Sequence, residues 1–282
     1  MMGSNCFSSS GDTFLLLCYL LALISLRNSW ALGGYLFNYT SSRNEQKATQ
    51  VRDKTERDIA SDNQRETALQ DYIDKMSELL LDKDHPLRES APEDEVRKIA
   101  RVRTLTVLPR LDKERKRGVL QFLHESGLID KGMKIIDLDG ADLNGANLIL
   151  ADLGGADLHR AILDGAKLHK ANLNGANLGE AILGEAQLYG ADLGRADLHR
   201  AILDGADLVL ADLSKADLHG AILGEAKLDG ADLRGANLNG ADLGGADLDK
   251  AKLSEAKGTT TEQLDKAKSL TGAIMPDWLK HP

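Results

Sequence analysis

At 282 residues the chain has room for one or two domains. A net charge of −9 argues against a basic nucleic-acid-binding domain, and 28% charged residues argue against a polytopic membrane protein; aromatics at only 4% are too few for an ordinary mixed core. The two cysteines, Cys6 and Cys18, lie near the N-terminus and can neither staple a fold nor build a Cys-based zinc site.

Residues 1–40 read as a hydrophobic membrane anchor with its flanks. Phe14 to Leu26 is apolar except for Ser25. As a helix this run spans about 20 Å, against a hydrocarbon core of about 30 Å. A retained anchor, with Trp30 to Tyr39 at the interface, competes with a secretory signal cleaved near Ser29 and Ala31 and with a buried helix. Residues 1–13 lack Lys and Arg, which disfavours the signal. Asp12 precedes the run, while Arg27, Arg43, Lys47 and Arg52 follow it. The positive-inside rule then makes this a single-pass membrane protein with everything downstream in the cytoplasm. The signal reading would make it secreted or periplasmic. The sequon Asn38-Tyr39-Thr40 matters only in a secreted eukaryotic chain.

Residues 41–92 read as a polar helical stalk and loop. Ser41 to Thr67 has few apolar anchors beyond Val51 and Ile59, whereas Leu69, Tyr72, Ile73, Met76, Leu79 and Leu80 form a docking face. Residues 93–135 read as a helical N-terminal cap. Helices are expected over 93–108 and 112–126, with Pro92 at an N1 position, Asp112 as N-cap and Gly127 as the stop. The cap is basic, with Arg97, Lys98, Arg101, Arg103, Arg110, Lys113, Arg115, Lys116 and Arg117. A helix-turn-helix reader, a phosphate or headgroup patch and a solvated helix surface are the three readings. Interrupting acids and the negative chain favour the last.

Residues 136–257 carry an internal repeat. Leu recurs at every fifth residue from Leu138 to Leu253, 24 positions without a miss, and Ala does the same from Ala141 to Ala256. Typical units are ADLNG, ANLIL and ANLGE. A period of five fits neither a 3.6-residue helix nor a two-residue strand. The stretch resembles the pentapeptide-repeat family. That resemblance implies a mainly β fold, a right-handed quadrilateral β-helix of about six coils, with one pentapeptide per side. Leu, and the Ala two positions before it, would point inward; the intervening Asp or Asn and the two residues after Leu would point outward. Packing supports this, since a narrow tube limits the second inward residue to Ala. Gly before Ala suits tight corners, and all five prolines lie outside the repeat, where no ladder donor is lost. The stretches ALGGYLFNYTSSRNEQ, YIDKMSELLLDK and VRKIARVRTLTVLPRLDKERKRGVLQFLHESGLID resemble the N-terminal region of bacterial, notably cyanobacterial, membrane-anchored members.

Residues 258–282 read as a C-terminal helical cap and tail. Thr260 and Gln263 form a capping-box signature. Leu270, Ala273 and Met275 restore the repeat spacing, and Trp278 is expected to pack on this last partial coil.

No nucleophile elbow, phosphate loop, HExxH or Cys–His pair is present, so no catalytic, cofactor-binding or metal-ligating residue is assigned. His199 and His219, one coil apart, read as a stacked surface pair. Sorting outward positions by twenty puts Ile162, Ile182, Ile202 and Ile222 in one column where Asp or Asn is usual, flanked by Asp142 and Asp242. This column is the candidate interaction surface. Arg160, Glu180 and Arg200 form a charge ladder, and acids line two further columns. From Asp137 to Lys257 there are 21 acids and 11 bases, a net of −10. The favoured function is a non-enzymatic, membrane-tethered interaction or scaffold protein displaying a rigid acidic β-helix to a protein partner, without direct nucleic-acid contact and with homo-oligomers as an option. The alternative is an acidic DNA mimic that binds a DNA topoisomerase or another nucleic-acid-binding protein, as the family resemblance permits.

Overall fold

The computed structural model describes residues 10–84, 86–130 and 134–280, without the side chains of 10–36, 40, 277 and 280. The chain divides into two units, Met1–Asp62 and Asn63–Pro282. Helix α1 covers Ser10–Leu81. In the first unit its described side chains are almost all exposed, including Phe37, Val51 and Ile59. The local support is of the helix-surface kind, such as Arg52 Nε on Glu56 Oε1 at 2.9 Å.

The expected single-pass anchor with a cytoplasmic repeat domain is overturned. Among the described residues no helix is long and apolar enough to cross a membrane. The apolar run Phe14 to Leu26 falls well short of the roughly 20 residues a span requires, and Arg27 and Asn28 end it. The side chains of that run, and of the cleavage site suggested by Ser29 and Ala31, lie outside the described residues.

In the second unit the apolar face of α1 finds partners. Met76 is fully buried and Tyr72 nearly so, with the Tyr72 ring edge-on to Phe122 at 6.2 Å. Thr104 donates its hydroxyl proton to Ala100 O at 2.9 Å, so the Tyr72 hydroxyl, 2.9 Å away, donates to Thr104 Oγ1. Burial pushes the Tyr72 phenol pKa well up. Helix α2 covers Glu95–Val107 and starts at Asp94 rather than beside Pro92. The Asp94 carboxylate does not cap α2. It accepts the Ala91 N–H at 2.7 Å and so closes the preceding turn. Helix α3, Lys113–Glu125, is capped by Asp112, which accepts from the N–H groups of Glu114 and Arg115. Its end is a left-handed glycine stop. Gly127 has φ +67°, its N–H bonds His124 O, and the Leu128 N–H reaches back to Leu123 O at 2.9 Å.

From residue 137 the backbone closes on itself every twenty residues. Parallel bridges pair residues twenty apart, from Asp142 with Ile162 to Asn237 with Lys257, four bridges in each coil. The coils thus form a β-helix. The mainly β expectation needs correction on one point: among the described residues the β structure consists of single bridges, with no extended strand. The five-residue unit is the cause. It leaves one residue for the ladder before the next corner.

The interior contains the Leu and Ala series, every member from Leu138 to Ala251 being buried except the half-buried Ala151. All 24 corners place the second residue after Leu at positive φ. Glycine occupies half of them, and residues such as Leu150, Arg160, Glu180 and Leu210 occupy the rest.

Helix α4, Thr261–Asp265, opens with the capping box of Thr260 and Gln263 and inserts Leu264 into the core. Its Gln263 Nε2 donates to Leu238 O at 3.1 Å and Ala241 O at 2.8 Å. In the coils an Ala oxygen takes the N–H twenty-one residues ahead, as Ala161 O does from Ile182. A side-chain amide therefore replaces the rung that α4 interrupts. The coil then resumes with a shift of two, Ser269 bridging Asp247 and Ile274 bridging Lys252. The terminal helix α5 covers Asp277–Lys280. Trp278, expected to pack on this last partial coil, is 45% exposed.

Candidate functional site

The outward acids have a local task that their repetition conceals. In a unit such as Ala191 to Arg195, the first four of these backbone amides are used as follows. The Ala191 N–H closes the preceding corner onto Leu188 O, the Asp192 N–H reaches Ala171 O, and the Leu193 N–H reaches Asp212 O. The Gly194 N–H, at the corner, is taken by the Asp192 side chain at 2.9 Å. The same self-turn recurs at Asp152, Asn172, Asp212 and Asp242, among others. Asn side chains also bridge coils to acids, Asn177 Nδ2 to Asp157 Oδ1 at 2.9 Å and Asn237 Nδ2 to Asp217 Oδ1 at 2.8 Å. Arg234 clamps Asp232, and that bond holds the Asp232 carboxyl pKa below its ordinary value. Much of the acidity is therefore spent on the tube itself.

Ile162, Ile182, Ile202 and Ile222 are consecutive bridge partners on one side, ended by Asp142 and Asp242. Isoleucine has no acceptor for the corner amide, so these four units lack the self-turn. Ile182 and Ile222 are 37% and 41% exposed, and Ile162 and Ile202 are half-buried. The result is a bounded apolar strip on a polar tube.

The basic residues of the cap divide: Lys98, Arg103, Arg110 and Lys113 are exposed, as a solvated helix surface would have them, whereas Arg101, Arg115 and Lys116 are docking groups. Lys116 is buried, its Nζ donating to Asp142 Oδ1 at 2.9 Å and Asn144 O at 3.2 Å. Arg101 binds Asp137 and donates to Asp139 O at 3.0 Å. Arg115 pairs with Asp112 and Glu66. The Asn147 N–H, at the open edge of the first coil, is taken by Lys113 O at 3.0 Å.

The histidines depart from the expected pairing. His219 Nδ1 faces Asn239 O at 2.9 Å, while His199 turns the other way and stacks on His159 with ring centres 6.1 Å apart. Gly179 lies between them in the same column. A Cβ there would collide with the His199 ring. Sequence reasoning missed this pair because it compared only adjacent coils; the signal was a glycine between histidines forty residues apart. Next to Gly179, Glu180 accepts from Arg160 Nε at 3.0 Å and has Arg200 at 3.9 Å. The Arg160 bond holds the Glu180 carboxyl pKa below its ordinary value.

A family model for pentapeptide repeats matches in eight copies, over 136–175, 161–200, 171–208, 191–230 and 226–257. Among solved structures, HetL, a pentapeptide-repeat protein involved in heterocyst differentiation regulation in the cyanobacterium Nostoc sp. strain PCC 7120, is 37% identical. The match covers 50% of this chain and 71% of HetL, with a TM-score of 0.22. A second pentapeptide-repeat protein of Nostoc, alr5209, is 38% identical over 38% of this chain and 84% of its own, with a TM-score of 0.32. QnrB1, a plasmid-mediated fluoroquinolone resistance protein, is 17% identical over 51% of this chain and 85% of its own, with a TM-score of 0.31. No curated protein matches.

Proposed function

Since the chain belongs to the pentapeptide-repeat family, whose fold is a right-handed β-helix, we propose that it is a non-enzymatic interaction protein. Its four-sided tube of six coils serves as a rigid display surface. The observation that carries this reading is the isoleucine column. Four successive coils replace the amide-capping acid with an apolar side chain on the same side, and the replacement stops at Asp142 and Asp242. Each replacement gives up a hydrogen bond worth about 1 kcal/mol. Ladder packing of β-branched side chains recovers part of that, and burial against a partner would recover the remainder. The partner that fits is a protein surface with a few apolar anchors inside a basic rim, complementary to a repeat of net charge −10.

The acidic DNA-mimic reading has less support. Its acids must face outward and be free, yet the self-turns, Asn bridges and the Arg234 clamp engage many of them. The test is the full-length double variant Ile182→Asp with Ile202→Asp, beside a Lys215→Asp control. Partners cross-linked by the wild type should be lost from the double variant and kept by the control, with the melting temperature unchanged. A steep fall in melting, or partners kept by the double variant, would overturn the proposal.

A further inference from the structure

We infer that His159, Glu180 and His199 form a binding site for one borderline divalent transition-metal ion, with Zn²⁺ as the reference case. A nitrogen of each imidazole and a carboxylate oxygen of Glu180 lie within 4.8 Å of one another. Two histidines and one carboxylate are a donor set that Zn²⁺ accepts, leaving a fourth position for water. Bonds of about 2.0–2.1 Å require the ligand atoms to close to roughly 3.4 Å, a movement within the reach of side-chain rotation at a half-exposed site.

Three features prepare these groups. His159 Nδ1 lies 3.1 Å from Asp139 Oδ1, and His199 Nδ1 lies 2.7 Å from Asp197 Oδ1. An ionised carboxylate only accepts, so each Nδ1 carries the proton and each Nε2 keeps its lone pair for a metal. This is the outer-shell arrangement that orients imidazole ligands. Secondly, Gly179 provides the slot. It stands between the two histidines in the column, and His199 lies over it where any side chain would block the ring. Thirdly, Arg160 engages Oε2 of Glu180, leaving Oε1 with only the 3.9 Å approach of Arg200. The ligands come from three successive coils, so a bound ion would clamp them together.

The test is calorimetric titration of the full-length protein with Zn²⁺, with Co²⁺ absorption as the spectroscopic readout. One ion per chain is expected, with an intense low-coordination Co²⁺ band and a melting temperature that rises with Zn²⁺. The pair His159→Gln with His199→Gln should abolish all three signals. So should Gly179→Ala, which keeps every ligand and removes only the slot. Asp139→Asn should weaken Zn²⁺ about 10- to 100-fold. The pair His169→Gln with His219→Gln should change nothing. Each variant is compared by melting without metal, so loss of fold is separated from loss of the site. Absence of binding to the folded wild type, or binding kept by the Gly179→Ala and His159–His199 variants, would overturn the inference.

Discussion

Lys116 Nζ donates to Asp142 Oδ1 at 2.9 Å, joining α3 to the first coil through an ammonium that is almost wholly out of water. Asp142 is also the polar residue that ends the isoleucine column. One carboxylate thus receives the cap and marks the edge of the strip. Lys116→Met keeps the apolar stem but leaves the Asp142 carboxylate with only the Asn144 N–H in place of its cation, and removes the donor from Asn144 O. Breaking a buried pair costs about 3–5 kcal/mol, and the partial exposure of Asp142 reduces this to about 2. Lys98→Met, at an exposed pair with Glu95, should cost under about 0.5 kcal/mol. Urea titration of both variants checks the contrast, and equal losses would mean that Lys116 does not anchor the cap.

The corners allow a test in both directions. Gly240 has φ +65°, and an added Cβ would meet nothing within 4 Å. The cost of Gly240→Ala is therefore conformational. A left-handed penalty of about 1–2 kcal/mol, less about 0.4–1 from the stiffer unfolded chain, leaves a net loss of roughly 0.5–1. Lys215 holds φ +59° with a side chain present, so Lys215→Gly should gain a similar amount. Denaturation midpoints moving in opposite directions are expected. Shifts in the same direction would show that corner strain does not govern the coils.

Acid should loosen the cap through Asp112. Burial works to raise its pKa, but the Arg115 N–H, the Arg115 guanidinium and the Glu114 N–H outweigh it and hold the carboxyl below its ordinary value. A folded pKa below the unfolded one gives stability that is complete above the unfolded carboxylate value, about 3.9, and lost as pH falls through the folded value. The melting temperature of the wild type should therefore fall below about pH 4 more steeply than that of Asp112→Asn, which can still accept the amide bonds. Parallel curves would remove Asp112 from the account.

The five-residue spacing by itself determined the Leu and Ala series, and the family resemblance it carries implied the twenty-residue coil; that register then assigns each outward residue to a column, with one neighbour above and one below. Asp112, Gly127 and the Thr260–Gln263 box were legible for a similar reason, since a cap depends on residues three or four apart. The tertiary structure alone decided where side chains point from that frame. Arithmetic by twenties made His199 and His219 neighbours, yet His219 turns to Asn239 O while His199 crosses the bare Gly179 to reach His159. Register specifies adjacent backbones, whereas rotamers follow the space and the partners that distant residues leave. The basic cap was ambiguous in sequence on the same ground. Lys116 and Arg101 become docking groups only when the acids of the first coil are brought against them.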